Sequence, residues 1–182
     1  MKTLGIEDGF VPAQDGNGPL AASPGSRLEE LGIVLPVPPT PLGAYVEASD
    51  AGSLLFLSGM LPVLDGKLQF TGRLGENLTI EEGQAAARMA ALNALAVAKQ
   101  HLGTLDRLKK LIKLSVQVAT TPQFSGHAAV ADGASNFFVD IFGRARGHVR
   151  LVYGVQSLPI GAPLVVEVVF EVEPVNESKP KL

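Results

Sequence analysis

Residues 79–120 read TIEEGQAAARMAALNALAVAKQHLGTLDRLKKLIKLSVQVAT, and within them the hydrophobic period changes from that of a helix to that of a strand. Thr79 followed three residues later by Glu82 is a capping box, so a helix is predicted to open there and to run to Leu102. Gly103 then supplies the left-handed residue that closes it. The expected apolar stripe is Ala85, Ala86, Met89, Leu92, Ala96 and Val97, with Arg88 and Lys99 together on the other side. So many alanines imply that this helix comes close to a sheet. From Leu111 to Thr120 the period becomes two: Ile112, Leu114, Val116 and Val118 alternate with Lys113, Ser115 and Gln117. Such alternation predicts a strand with one apolar face.

Working towards the amino terminus, Ala44–Ala48 and Leu54–Ser58 are expected to pair through a turn at Asp50, Ala51 and Gly52. Ser26 with Glu29 predicts a short capped helix ending near Gly32, and Pro36, Pro38, Pro39 and Pro41 force an extended connection after it. Towards the carboxy terminus, Pro122 breaks the strand, and a helix carrying Phe137, Phe138, Ile141 and Phe142 ends at Gly143. Two β-rich segments follow, His148–Val155 and Leu164–Val172, separated by Pro159, Gly161 and Pro163. The order β-β-α-β-α-β-β predicts an α+β domain in which two helices cover a sheet. Residues 26–173 form that domain; residues 1–25, rich in Gly and Pro, are expected to be a flexible extension, and residues 174–182 a polar tail.

The chain has 182 residues, 46% of them hydrophobic, enough for one core. Its 15 basic and 18 acidic residues leave a formal charge of −3, so it lacks the positive field that a nucleic-acid partner requires. With no cysteine, disulfides, thiolate zinc sites and thiol nucleophiles are excluded. His101, His127 and His148 are too scattered to suggest a metal pair on one helix face. There is no G-x-G-x-x-G, P-loop, G-x-S-x-G or H-E-x-x-H string. Glu7 and Asp8 precede any long apolar run, so no signal peptide is expected, and no stretch reaches the roughly 18 apolar residues of a membrane span. The expected location is the cytoplasm, without a membrane partner.

Charges embedded in apolar strands are the most informative, because burying an unpaired ion is costly. Arg150 lies between Val149 and Leu151, and its planar fork suits a carboxylate. Glu167 lies among Val165, Val166, Val168 and Val169. Either the two pair with each other or reach solvent on one sheet face, or they belong to a ligand site. Ser58-Gly59 and Gly133 are places where a backbone could approach a ligand, although lone glycines are commonly turn residues.

Several strings, in order, resemble one family. These are Gly43-Ala44-Tyr45, the run Leu54-Leu55-Phe56-Leu57-Ser58-Gly59-Met60-Leu61-Pro62, Gly83-Gln84-Ala85-Ala86 and Ala91-Leu92-Asn93-Ala94-Leu95. Arg150, Gly154-Val155, Leu158-Pro159 and Val166-Glu167-Val168 complete the set. Together they resemble the Rid family of reactive-intermediate deaminases, also called YjgF or L-PSP endoribonuclease-like, over about residues 27–173. Gly133-Ala134-Ser135 and Leu158-Pro159-Ile160-Gly161-Ala162-Pro163 point to a branch of ill-defined function. The resemblance implies a chorismate-mutase-like (bacillar type) α+β fold, a mixed sheet covered on one face by two helices, and a homotrimer with ligand clefts at its interfaces. It also implies hydrolysis of imines or enamines such as 2-aminoacrylate to a keto acid and ammonia. Arg150 would then clamp the substrate carboxylate and Tyr45 would line the cleft, and the resemblance implies neither a metal nor an organic cofactor.

Departures from the family pattern are specific. Deaminating members carry glutamates at the positions of Val165 and Glu167, the first of them assigned to the attacking water. Here only Glu167 is acidic. Asp132 stands at a position that is commonly asparagine, Met60 at a glutamine and Val152 at a cysteine. The expected site is therefore Arg150 and Glu167 as catalytic residues, with Tyr45, Ser58, Gly59, Asp132 and Val152 around a small carboxylate-bearing metabolite. Three readings remain open: a deaminase of the 2-iminobutanoate/2-iminopropanoate type, a non-catalytic keto-acid-binding or regulatory trimer, and, more remotely, an endoribonuclease or translation inhibitor.

Overall fold

A computed structural model of the protein describes residues 22–174; the parts of the expected extension and tail beyond them lie outside the described residues. In chain order the elements are α1 (Pro24–Glu30), β1 (Ala48–Ala51), β2 (Leu54–Leu57), β3 (Val63–Leu64), β4 (Lys67–Leu68), α2 (Ile80–Leu102), β5 (Leu108–Ala119), α3 (His127–Phe142), β6 (Val149–Val155) and β7 (Leu164–Val172). Five strands form one sheet in the order β1-β2-β7-β5-β6. Only the β5–β6 pair is parallel, so the sheet is mixed. Both long helices lie on one face, α2 against β7 and α3 against β5 and β6. This is the chorismate-mutase-like α+β arrangement.

The capping box at α2 forms in full: the Thr79 amide donates to Glu82 Oε2 at 2.8 Å and the Glu82 amide to Thr79 Oγ1 at 3.2 Å. Gly103 closes the helix at φ 78°. The buried arc is rotated from the expected stripe. Ala86, Ala87, Ala90, Ala91, Ala94, Leu95 and Ala98 are buried, whereas Ala85 is exposed and Met89 and Leu92 are half-buried. The cause is that α2 packs against α3 as well as against the sheet. A Cβ added to Gly133 of α3 would lie 2.2 Å from the Gln84 carbonyl oxygen, so this glycine serves helix–helix approach, not a ligand. Phe137, Phe138, Phe142 and Phe170 fill the space between α3 and β7, with ring centroids 5.5–6.4 Å apart.

Three further boundaries differ from expectation. The first strand is Ala48–Ala51, not Ala44–Ala48, because the turn forms at Gly52, which takes φ 63°. The chain before it, residues 42–47, is irregular and lines a pocket. Strand β5 starts at Leu108, and a register shift between Leu111 and Lys113 turns Ile112 off the buried face. Helix α1 is capped by Ser23, whose Oγ accepts from the Ser26 amide, with Pro24 in the first turn; Ser26 is not the cap. The small β3–β4 hairpin has only two residues per strand, too few to show a period, and turns at Asp65 and Gly66 (φ 50° and 72°).

Among the described residues, the other face of the sheet carries no helix. Residues opposite one another across paired strands share a face. Leu151, Ser115 and Glu167 are in register, as are Tyr153, Gln117 and Val165. These point away from the core, because the alternate set of Leu114, Val116, Val118, Val166 and Val168 is buried under the helices. Val149, Leu151, Tyr153 and Phe56 are correspondingly exposed. Among the described residues, no helix is long and apolar enough to cross a membrane.

Candidate functional site

Arg150 sits on β6, the edge strand, opposite Leu114, and so projects to the helical face. There α3 meets it. Arg150 Nη1 donates to Asp132 Oδ1 at 2.6 Å and to Ser135 Oγ at 3.0 Å. Asp132 and Ser135 are three apart on α3, the spacing that puts two side chains on one helix face. Since the arginine can only donate, Ser135 accepts from it and directs its own hydrogen to His148 Nε2, 3.1 Å away. That requires a neutral imidazole nitrogen, and burial followed by the nearby Arg150 charge holds the His148 pKa below its usual value. Arg150 keeps 26% of its side-chain surface and Asp132 47%, so the guanidinium is reachable and its internal partner is more exposed than it is. Val152, two residues along, faces the same way. Gly154 continues the row, and a Cβ there would lie 2.5 Å from His127 Nε2 and 2.7 Å from Thr120 Oγ1.

Glu167 does not pair with Arg150. Strand β5 lies between them, and Arg150 points to the helical face whereas Glu167 points to the open one. The carboxylate that engages Arg150 is instead that of Asp132, a helix residue, through a single hydrogen bond from Nη1.

Tyr45, Ser58 and Gly59 come together at the opposite edge of the sheet, around a pocket of about 110 Å³ that Glu47, Met60 and Ile160 also line. The Ser58 amide donates to the Glu47 carbonyl at 2.9 Å, extending the β1–β2 ladder, so the side chains of Glu47 and Ser58 share a face. The Tyr45 hydroxyl accepts from the Leu42 amide at 3.1 Å, which leaves its own hydrogen free. Gly59 is glycine because β7 passes beside it: a Cβ would lie 2.5 Å from Val165 Cγ1. The Met60–Val166 bridge fixes that approach. Asn93, buried in α2, ties the pocket floor to the helix by donating to the carbonyls of Leu61 (2.9 Å) and Val63 (2.8 Å).

The expected site residues therefore fall into two groups within one chain: Arg150, Asp132 and Val152 at the β6 edge, and Tyr45, Ser58 and Gly59 at the β1–β2 edge, with Glu167 on the open face between. Strands β7 and β5 separate the edges, and three strand spacings amount to roughly 14 Å. Ser135, His148 and Glu47 were not expected. Ser135 carries a readable signal in its i+3 relation to Asp132, and His148 in lying two residues before Arg150 on the same strand face. Glu47 carries none, because it sits in irregular chain. Among the described residues, no three His, Asp or Glu side chains gather closely enough to hold a metal ion.

A mixed five-stranded sheet with two helices on one face, and an edge-strand arginine paired with a helix carboxylate, defines a class of small α+β domains. Within that class the chain belongs to the family described as "YjgF/chorismate_mutase-like, putative endoribonuclease", which matches residues 25–172. It is 42% identical over 147 residues to Protein TCP17 of Trypanosoma cruzi, a match covering 80% of this chain and 92% of that one. Among solved structures it resembles one from Shewanella oneidensis described as a "putative endoribonuclease", with TM-score 0.79, 37% identity and coverage of 83% and 100% of the two chains. A protein of unknown function from Agrobacterium tumefaciens is similar at TM-score 0.75 and 36% identity, over 82% of this chain and 92% of that one.

Proposed function

We propose that the protein hydrolyses small imines or enamines bearing a carboxylate, at clefts completed by neighbouring copies in a homotrimer. The observation that carries this reading is the arginine's environment: Arg150 Nη1 is already engaged by a carboxylate oxygen at 2.6 Å and a hydroxyl at 3.0 Å, on a solvent-reachable edge. A ligand carboxylate can take the place of Asp132 with the same geometry. The reacting carbon would then lie beside the Tyr45, Ser58 and Gly59 pocket of a second copy, since the edges of one sheet are too far apart for a small molecule to span. In the proposed ring of three copies, the exposed apolar row of Val149, Leu151 and Tyr153 would be covered. Such chemistry belongs in the cytoplasm, where reactive imines from amino-acid metabolism arise. Neither a metal nor an organic cofactor is needed for it.

The test is to generate 2-aminoacrylate in situ and follow its disappearance with native protein and with Arg150→Ala. Acceleration by the native protein, lost in the variant, is the expected result; no acceleration by the native protein across several carboxylate-bearing imines would contradict the reading.

A keto-acid-binding trimer without turnover is the second reading, favoured by one observation: Val165, not an acid, stands against Gly59 beside the pocket. Pyruvate binding without imine turnover would identify it. Endoribonuclease activity, named in the family description, is the least supported, given the net charge of −3.

A further inference from the structure

We infer that Glu47 is the general base of the Tyr45–Ser58–Gly59 pocket, taking the proton from the water that attacks the bound imine carbon. The inference deepens the hydrolytic reading above and rests on it.

Among the described residues that line the pocket, Glu47 carries the only carboxylate. Its backbone is held in the β1–β2 ladder by the Ser58 amide at 2.9 Å, which fixes its side chain on the same face as that of Ser58. No side chain among the described residues forms an ion pair with it. A half-buried carboxylate without a partner is kept at a cost in free energy, and such groups concentrate at functional sites. Burial raises its pKa above the ordinary carboxylate value, which strengthens it as a base. Tyr45 stands in the same pocket with a free hydroxyl hydrogen, and the residue packed against Gly59 is Val165, which offers no acid to compete for the water.

The chemistry balances without a further reactant. Water oxygen bonds to the iminium carbon as the C=N pair moves onto nitrogen, and Glu47 takes one water proton. The resulting carbinolamine receives that proton on nitrogen. The C–N bond then breaks as the oxygen lone pair forms C=O, and the departing ammonia carries off the hydroxyl proton as ammonium. Iminium plus water gives ketone plus ammonium, and Glu47 returns to its ionised form. Val165 is a bystander in every step.

The experiment compares native protein, Glu47→Gln, Glu47→Ala and Arg150→Ala in the 2-aminoacrylate assay, with pyruvate binding measured by calorimetry on each. The expected result is a kcat at least about 100-fold lower in Glu47→Gln with pyruvate affinity within about twofold of native, the range for loss of a general base. Added formate should restore part of the activity of Glu47→Ala, an effect that a merely structural role would not give. An active native protein whose Glu47→Gln variant keeps its kcat within about threefold, or a Glu47→Ala variant that formate does not rescue, would overturn this inference and leave the hydrolytic reading standing. An inactive native protein would overturn both, a result told apart by the native trace alone.

Discussion

At the β6 edge, Arg150, Asp132, Ser135 and His148 form a chain of charged and polar hydrogen bonds open to solvent, whereas at the β1–β2 edge Tyr45, Glu47 and Ser58 ring a small pocket with Met60 and Ile160 in its wall. The first is built by a helix laid against a strand, and each of its four side chains has a partner in the chain of hydrogen bonds. The second is built by irregular chain folded over a strand end, and its carboxylate has no ion-pair partner among the described residues. A charged ligand group is recognised best where donors are already organised; a reacting centre is served best where water is restricted and a base is desolvated. On the proposed reading, the contrast is a division of labour in which the β6 edge holds the substrate and the pocket edge transforms it.

The largest effect that would break this comparison is expected at Arg150. Arg150→Ala should weaken pyruvate binding by about 1.5 to 3 kcal/mol, the range for a hydrogen bond to a charged group, as read by calorimetry. Unchanged binding would show that anion recognition lies elsewhere. Next come the two glycines. Gly154→Ala forces a methyl against His127 and Thr120 beneath the arginine edge, and Gly59→Ala forces one against Val165 beside the pocket. Overpacking of this kind costs about 1 to 3 kcal/mol of stability, measurable by urea denaturation. The sharper expectation is that Gly154→Ala raises KM and Gly59→Ala lowers kcat; equal effects on both constants in both variants would erase the division.

A smaller change is expected at Asp132, which occupies the guanidinium that a ligand must reach. Asp132→Asn should tighten pyruvate binding several-fold by weakening this internal competitor, and looser binding would mean that Asp132 orients the arginine instead. The smallest effect is electrostatic. Removing the Arg150 charge should raise the His148 pKa towards its ordinary value of about 6.5, as followed by NMR titration. In the native protein the His148 pKa is depressed, so below about pH 6.5 the unfolded chain takes a proton that the folded one refuses. That contribution to stability is complete above this pH and is lost as the pH falls. Glu47 acts in the opposite sense: its raised pKa contributes below the ordinary carboxylate range and fades as the pH rises through the folded value.

Much of the frame was legible because it rests on local rules. Thr79 and Glu82 cap α2, Gly103 and Gly143 end α2 and α3, and Val149–Val155 and Leu164–Val172 are strands as their composition predicts. Arg150 stood out as a charge in an apolar strand, and Asp132 proved to be its partner. The pairing of Arg150 with Glu167 was the natural alternative, and strand parity defeats it: which face a residue takes depends on the register of β5 with both neighbours, which no single strand reveals. The alanine stripe on α2 was rotated for a similar reason, since α3 shares its surface and Gly133 sets how closely. Glu47 was invisible because its environment is made by residues 39–42, 58–63 and 160, brought together only by the fold.

The most direct test of the account mixes two inactive variants. Arg150→Ala and Tyr45→Ala subunits, denatured together and refolded, should regain imine hydrolysis well above either variant alone, because in mixed assemblies an intact arginine edge from one copy meets an intact pocket from another. Activity no greater than the average of the separate variants, in a sample shown by mass spectrometry to contain mixed assemblies, would contradict the claim that the two edges work together across copies.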